Sequence, residues 1–230
     1  DYYYVTPGHQ VPTGVAMSSA RRRQLLEHAA RHDAVIIEDD YDSESNFTQN
    51  PLPALKASDR SGRVVYVSSL SKALSPGLRL GFMVADPDLI DEARALRRLV
   101  YRHPPTNIQY QMAHFLAQGH YETHLRRYHY DSAQRWERLH AALQRYLPSC
   151  RALAGSEHAN AFWLQTPAQI NTQQLTWRAA HAGVLIEPGA RHFLNAAPPD
   201  NYFRMGFHAI NPDAIARGVE VLRGQLEQMG

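Results

Sequence analysis

Apolar and polar positions alternate with two different periods along this 230-residue chain, and the change of period divides it into three stretches. In the first, short β-branched or aromatic runs are separated by polar and helical segments. Tyr2 to Thr6 reads as a strand, Ser19 to Arg31 as a helix that Ser18 can cap, and Ala34 to Glu38 as a second strand. A polar, turn-rich loop follows to Gly62, then a strand from Arg63 to Val67 and another from Leu80 to Val84. Strand–helix–strand order predicts a parallel sheet with helices on its faces.

The second stretch is helical. Pro87 suits a first helical turn after Asp86, and the pattern predicts helices over Asp88 to Tyr101, Thr106 to Gln118 and Tyr121 to Leu147, broken at Pro104-Pro105 and Gly119. From about Cys150 the texture shortens. Ala161 to Gln165, Val184 to Glu187 and Tyr202 to Phe207 read as strands, Thr172 to Ala182 and Pro212 to Glu227 as helices. The expected organisation is α/β: residues 1–120 as part of a large domain, 121–148 as a bridging helix, and 149–230 as a small α+β domain.

Two places carry candidate chemistry. Val35-Ile36-Ile37 has the composition of a buried parallel strand and runs into Glu38-Asp39-Asp40-Tyr41-Asp42. The strand ending near Val67 runs into Ser68-Ser69-Leu70-Ser71-Lys72, with Arg79 shortly after. In open α/β sheets ligands bind at the carboxyl ends of strands, so the two segments are expected to meet. A lysine amine can hold an aldehyde as an imine, while the hydroxyls of Ser69 and Ser71 and the Arg79 guanidinium can grip a phosphate. A carboxylate such as Asp39 keeps a pyridine nitrogen protonated, and a phenol such as Tyr41 can hydrogen-bond a ring hydroxyl. Together they are the parts of a pyridoxal phosphate site. Taken singly, the carboxylate cluster also suits a solvated turn or a metal site, and Lys72 a surface loop.

The segments Thr6–Gly14 (TPGHQVPTG), Ile36–Glu44 (IIEDDYDSE) and Ser71–Arg79 (SKALSPGLR), with the Met17–Arg22 helix start and Pro51–Leu55, resemble the fold-type-I aminotransferases. The resemblance runs through nearly the whole chain, and is greatest to the aminotransferase-like effector domain of the MocR branch of the GntR transcriptional regulators. It implies a partial pyridoxal-phosphate-binding large domain followed by a small domain. Lys72 would be the Schiff-base lysine, Asp39 the pyridinium partner and Tyr41 the ring-hydroxyl contact. Ser69 and Arg79 would hold the phosphate, and His9 would lie among the cofactor contacts. Arg204, a cation inside the apolar run YFRMGF, would take the carboxylate of an amino acid, with Glu187–Gly189 and Arg191–Phe193 as a loop lining the ligand's side chain.

One position departs from ordinary aminotransferases. Where an Asn usually precedes Pro-Thr-Gly and contacts the ring hydroxyl, this chain has Val11. The change favours a sensor, in which a small amino acid or amine forms an external aldimine, over a stand-alone class I/II aminotransferase, the other reading kept. A third is a piece that no longer retains the cofactor. The resemblance also implies a homodimer.

Charge and composition narrow this further. Twenty-four basic against 22 acidic residues give +2, with no concentrated basic face, so DNA contact is expected only through an N-terminal domain outside this chain. The chain begins at Asp1 and runs straight into a strand, which reads as a start in mid-domain. A single cysteine excludes a disulfide framework and fits a cytoplasmic protein. No membrane segment or signal-peptide pattern is present. The 13 histidines lack metal-ligand spacing; His120 and His124 are expected to pack or face solvent.

Overall fold

The computed structural model describes residues 1–42, 44, 52–153 and 161–230. Ser43 and Pro51, both part of the motifs quoted above, lie outside the described residues. The chain forms two compact units: residues 1–10 with 16–129, and residues 11–15 with 130–230.

The first unit is built on a four-stranded sheet: β1 (Tyr2–Val5), β2 (Val35–Asp39), β3 (Val64–Ser69) and β4 (Gly81–Val84), adjacent in that order. β1, β2 and β3 are parallel, with Tyr4 opposite Ile37 and Asp39 opposite Val67. The expected parallel sheet is present as β1–β3, and β4 joins it antiparallel to β3, which makes the sheet mixed. The eleven residues between β3 and β4 contain no crossover helix, only a 3-10 turn at Pro76–Leu78, and a parallel return needs a longer connection. The antiparallel return brings Gly81 against Ser69. A Cβ on Gly81 would come within 2.7 Å of the Ser68 carbonyl oxygen, so only glycine allows this pairing.

Helix α1 (Ser19–Arg31) begins where the sequence predicts, with Ser18 Oγ accepting from Arg21 N. Its Ala29 packs with Ala34, Ile36, Leu55 and Val64, joined by Tyr3, Val5, Leu25 and Leu26. Two buried charged residues tie the loops to this core. Arg22 donates to the carbonyls of Met17, Pro53 and Pro7. Glu38, fully buried, accepts from the backbone N–H groups of Leu55 (2.7 Å) and Lys56 (2.9 Å). Those are orphan donors of the short helix α2 (Leu55–Ser58), an element that the reading of this region as loop missed. Helices α3 (Pro87–Tyr101) and α4 (Thr106–Ala117) follow, then α5 (His120–Tyr146), within which the division between units falls.

The second unit holds an antiparallel sheet in the order β5 (Arg151–Ala152), β6 (Ala161–Gln165), β8 (Tyr202–Gly206), β7 (Glu187–Pro188). Alternation sends Phe203 and Met205 of β8 to a buried face, and Phe162 and Leu164 of the neighbouring β6 are buried with them. Helix α7 (Pro212–Glu227) buries Ile215, Val219, Leu222 and Leu226, one stripe at helical spacing, and α6 (Thr172–His181) buries Leu175 and Ala179. Asn211 and Asn171 cap them, each side-chain oxygen accepting a backbone N–H at 3.0 Å. β7 is shorter than predicted: Val184 to Ile186 do not pair, and the strand gives way to a 3-10 turn at Gly189–His192. Gly189 is forced there, since a Cβ would come within 2.6 Å of Trp163 and of the Tyr202 backbone oxygen.

Candidate functional site

The carboxyl ends of β2 and β3 lie side by side, as parallel pairing requires, and the Asp40 N–H donates to Val67 O at 2.9 Å. Beyond these ends the chain turns twice, once at Asp40–Asp42 and once at Leu70–Leu80. Leu70 N–H donates to Leu80 O at 3.0 Å, closing the second turn at a neck flanked by Ser69, Ser71 and Arg79. Inside it, Ser71 N–H donates to Ser69 Oγ (3.2 Å). Arg79 adopts a left-handed backbone (φ 49°, ψ 39°), a conformation costing a non-glycine residue about 1–2 kcal/mol.

Lys72 reaches from the second turn onto the first. Its Nζ is 2.7 Å from Asp42 Oδ1 and 4.6 Å from the Tyr41 ring centroid. Lysine and carboxylate cluster are therefore neighbours, as the sequence predicts, but the residue facing the amine most closely is Asp42, which was quoted in the motif without a role. Asp42 is 3% exposed, and neither carboxylate oxygen has a partner in hydrogen-bond geometry among the described residues, the approach of Lys72 being close but poorly aligned.

Asp39 is paired from the other side, where Tyr4 OH donates to Oδ2. That bond, then burial and the Asp39 charge, pushes the Tyr4 phenol up to about 12, so it stays a donor through the working pH range. Sequence reasoning missed Tyr4; it becomes visible only with the register that sets β1 beside β2. Asp40 has partners on β3. It accepts from Tyr66 OH (3.0 Å), its backbone oxygen accepts from Ser68 Oγ (2.9 Å), and burial pushes its carboxyl above the ordinary range, against Tyr66 and His9. His9 feels Asp42, Lys72 and Asp40. Burial, the largest influence, draws its imidazole below the ordinary value, so it is neutral at neutral pH.

His124 of α5 lies against the lysine turn, its Nε2 2.7 Å from the carbonyl oxygen of Ala73. It packs, as expected, and does so one residue from Lys72. Arg204 belongs to the second unit, in the middle of β8 opposite Trp163 and Glu187, with its NH1 3.3 Å from Glu187 Oε2.

The donor set of the first unit fits a phosphorylated pyridine aldehyde. It comprises an amine beside a buried carboxylate, a second carboxylate braced by a phenol, and Ser69, Ser71 and Arg79, whose backbone flanks the neck of one turn. No helix among the described residues is long and apolar enough to cross a membrane.

Comparison with known proteins agrees with this arrangement. Residues 5–222 match the aminotransferase class I and II family. Curated relatives include the HTH-type transcriptional regulator TauR of Rhodobacter capsulatus, 39% identical over 93% of this chain and 44% of its own length. The probable rhizopine catabolism regulatory protein MocR of Rhizobium meliloti is 34% identical over 96% of this chain and 44% of its length. The chain thus spans less than half the length of these regulators. Among solved structures, the multiple substrate aminotransferase of Thermococcus profundus superposes with a TM-score of 0.89 at 28% identity, over 99% of this chain and 56% of that one. The α-aminoadipate aminotransferase LysN of Thermus thermophilus, solved with N-(5'-phosphopyridoxyl)-L-leucine, gives 0.87 at 27% identity, over 99% and 59%. The fold, the strand-end lysine and these matches lead to one assignment: the chain belongs to the aminotransferase class I and II family, with the fold-type-I architecture.

Proposed function

We propose that this chain is the pyridoxal-phosphate-binding, effector-sensing part of a GntR/MocR-type transcriptional regulator that responds to a small amino acid or amine. The observation carrying this reading is Lys72, 2.7 Å from Asp42 and 4.6 Å from the Tyr41 ring at the ends of two parallel strands. It occurs in a chain with regulators among its curated relatives.

Pyridoxal phosphate, when bound, supplies an aldehyde for amines and a ring that accepts electrons. The protein's own groups then divide the work. Lys72 would hold the aldehyde carbon, and its amine, when free, would carry a proton as general acid–base. Asp39, braced by Tyr4, holds the ring nitrogen protonated. Tyr41 serves the ring hydroxyl, while Ser69, Ser71 and Arg79 serve the phosphate, with His9 neutral beside them. Arg204 takes the acidic group of the ligand. Residues 1–120 act as part of the large domain, 121–148 as the bridge and 149–230 as the small domain. In the whole protein, a cytoplasmic homodimer, DNA is contacted by a segment outside this chain.

A stand-alone aminotransferase is the second reading, favoured by the superposition on the multiple substrate aminotransferase and LysN. The full-length protein loaded with pyridoxal phosphate separates the two. With a panel of amino acids and amines plus a keto acid acceptor, a sensor gives a change in cofactor absorbance without sustained keto acid formation. Multiple turnovers establish the enzyme instead, and no spectral response to any amine overturns both.

A further inference from the structure

β8 sits between β6 and β7, and Arg204 is directly opposite Trp163 on one side and Glu187 on the other. Residues opposite each other across a sheet share a face, so the guanidinium and the carboxylate meet by construction. Glu187 Oε2 is 3.3 Å from Arg204 NH1, while Oε1 is 3.5 Å from Arg191 NH1 and 3.4 Å from His192 Nε2. Charge-assisted bonds normally close to about 2.7–2.9 Å. All three contacts are longer, and the carboxylate divides between them: Oε2 accepts from Arg204, Oε1 accepts from Arg191, and His192 Nε2 lies near Oε1 without hydrogen-bond alignment.

His192 sharpens the point. Its side chain is 16% exposed, its ring meets the edge of Trp163, and its buried Nε2 has no partner in hydrogen-bond geometry among the described residues. A second place for the Glu187 carboxylate, between His192 and Arg191 on the 3-10 turn, is thus already built.

We propose that Glu187 is an internal stand-in for the ligand's acidic group. It occupies Arg204 until a carboxylate on the ligand takes the guanidinium, and then moves onto Arg191 and His192. This rests on the reading of Arg204 given under the proposed function and adds two things to it. Glu187 sets a threshold for the ligand's acidic group, which must outcompete an internal carboxylate for Arg204, and leaves a plain amine, which has nothing to exchange with it, unaffected. The exchange also transmits occupancy to the Gly189–His192 turn, which is pinned at Gly189 against Trp163 and Tyr202 and carries both groups that receive Glu187.

The test uses full-length protein loaded with pyridoxal phosphate and two probes, propionate (an acid without an amine) and propylamine (an amine without an acid), titrated by calorimetry. Removing the competing charge in Glu187→Gln tightens propionate on the order of tenfold, the effect of relieving like charges at one guanidinium, and leaves propylamine unchanged. His192→Phe and Arg191→Ala, which remove the receiving groups, weaken propionate. This opposite sign is one that loss of packing in Glu187→Gln would not produce, and Glu187→Asp, too short to reach Arg204, tightens it as Gln does. Unchanged or weaker propionate binding in both Glu187 variants overturns the proposal, as does propionate binding that survives Arg204→Ala or is absent from every form. Borohydride labelling of Lys72 in the same preparations reports on the cofactor reading separately.

Discussion

Glu38→Gln puts the support of the carboxylate turn to a direct test. The Glu38 side chain is fully buried on β2, immediately before Asp39, and its two oxygens accept the Leu55 and Lys56 N–H groups at 2.7 and 2.9 Å. Hydrogen bonds to a charged acceptor contribute about 1.5–3 kcal/mol each. Glutamine keeps one neutral bond of about 0.5–1.5 kcal/mol and turns its NH2 toward the other N–H, leaving a buried donor unpaired at about 1–3 kcal/mol. Against this stands the burial that pushes the Glu38 carboxyl above its ordinary value, opposed by the two backbone bonds, a penalty on the ionised form that Gln removes. The net expectation is a loss of about 2–3 kcal/mol, or about 4–12 °C in Tm for a chain of this size. Amide exchange at Leu55 and Lys56 reads it locally, accelerating about 30- to 150-fold, each 1.4 kcal/mol being about tenfold. All three tryptophans (Trp136, Trp163, Trp177) lie in the second unit, so their emission is an internal control that should not change. Exchange at both amides within a factor of two of wild type would refute the assigned role of Glu38.

Other outcomes follow from the same structure. Burial raises the Asp59 carboxyl, but donors from Val64, Ser61 and Lys56 outweigh it and hold the group below its ordinary 3.8. Its stabilisation is therefore present above pH 3.8 and is lost as pH falls through the lower folded value. Asp59→Asn should lower stability near pH 7 and lose less on acidification, seen by urea unfolding at pH 7 and pH 3; parallel losses would contradict this. Gly189→Ala places a Cβ 2.6 Å from the Tyr202 backbone oxygen and should cost about 1–3 kcal/mol, read as a shift in tryptophan emission and a lower urea midpoint. His124→Ala frees the Ala73 carbonyl and should speed exchange in the lysine turn while leaving Leu55 and Lys56 unaffected.

Local signals made much of this legible. Helix α1 was readable to the residue because Ser18 and the apolar spacing agree, and α7 spans the predicted Pro212–Glu227. The meeting of Lys72 with the Glu38–Asp42 segment followed from strand-end geometry alone. What was not legible needed register. Tyr4 on Asp39 and Glu187 on Arg204 are set by which residue faces which across a sheet, and no one-dimensional pattern fixes that. The antiparallel β4 was hidden because Leu80 to Val84 reads as a strand in either direction; its direction comes from the short turn before it. Asp42 was in view as one of four carboxylates between 38 and 42, but spacing does not say which will be buried against the amine.

The central claim is that Lys72 carries the cofactor, and borohydride reduction of the pyridoxal-phosphate-loaded full-length protein, followed by peptide mass spectrometry, measures it most directly. The account predicts a phosphopyridoxyl mass on the peptide containing Lys72, absent from Lys72→Ala. The same label on another lysine, or equal labelling of wild type and Lys72→Ala, would contradict it.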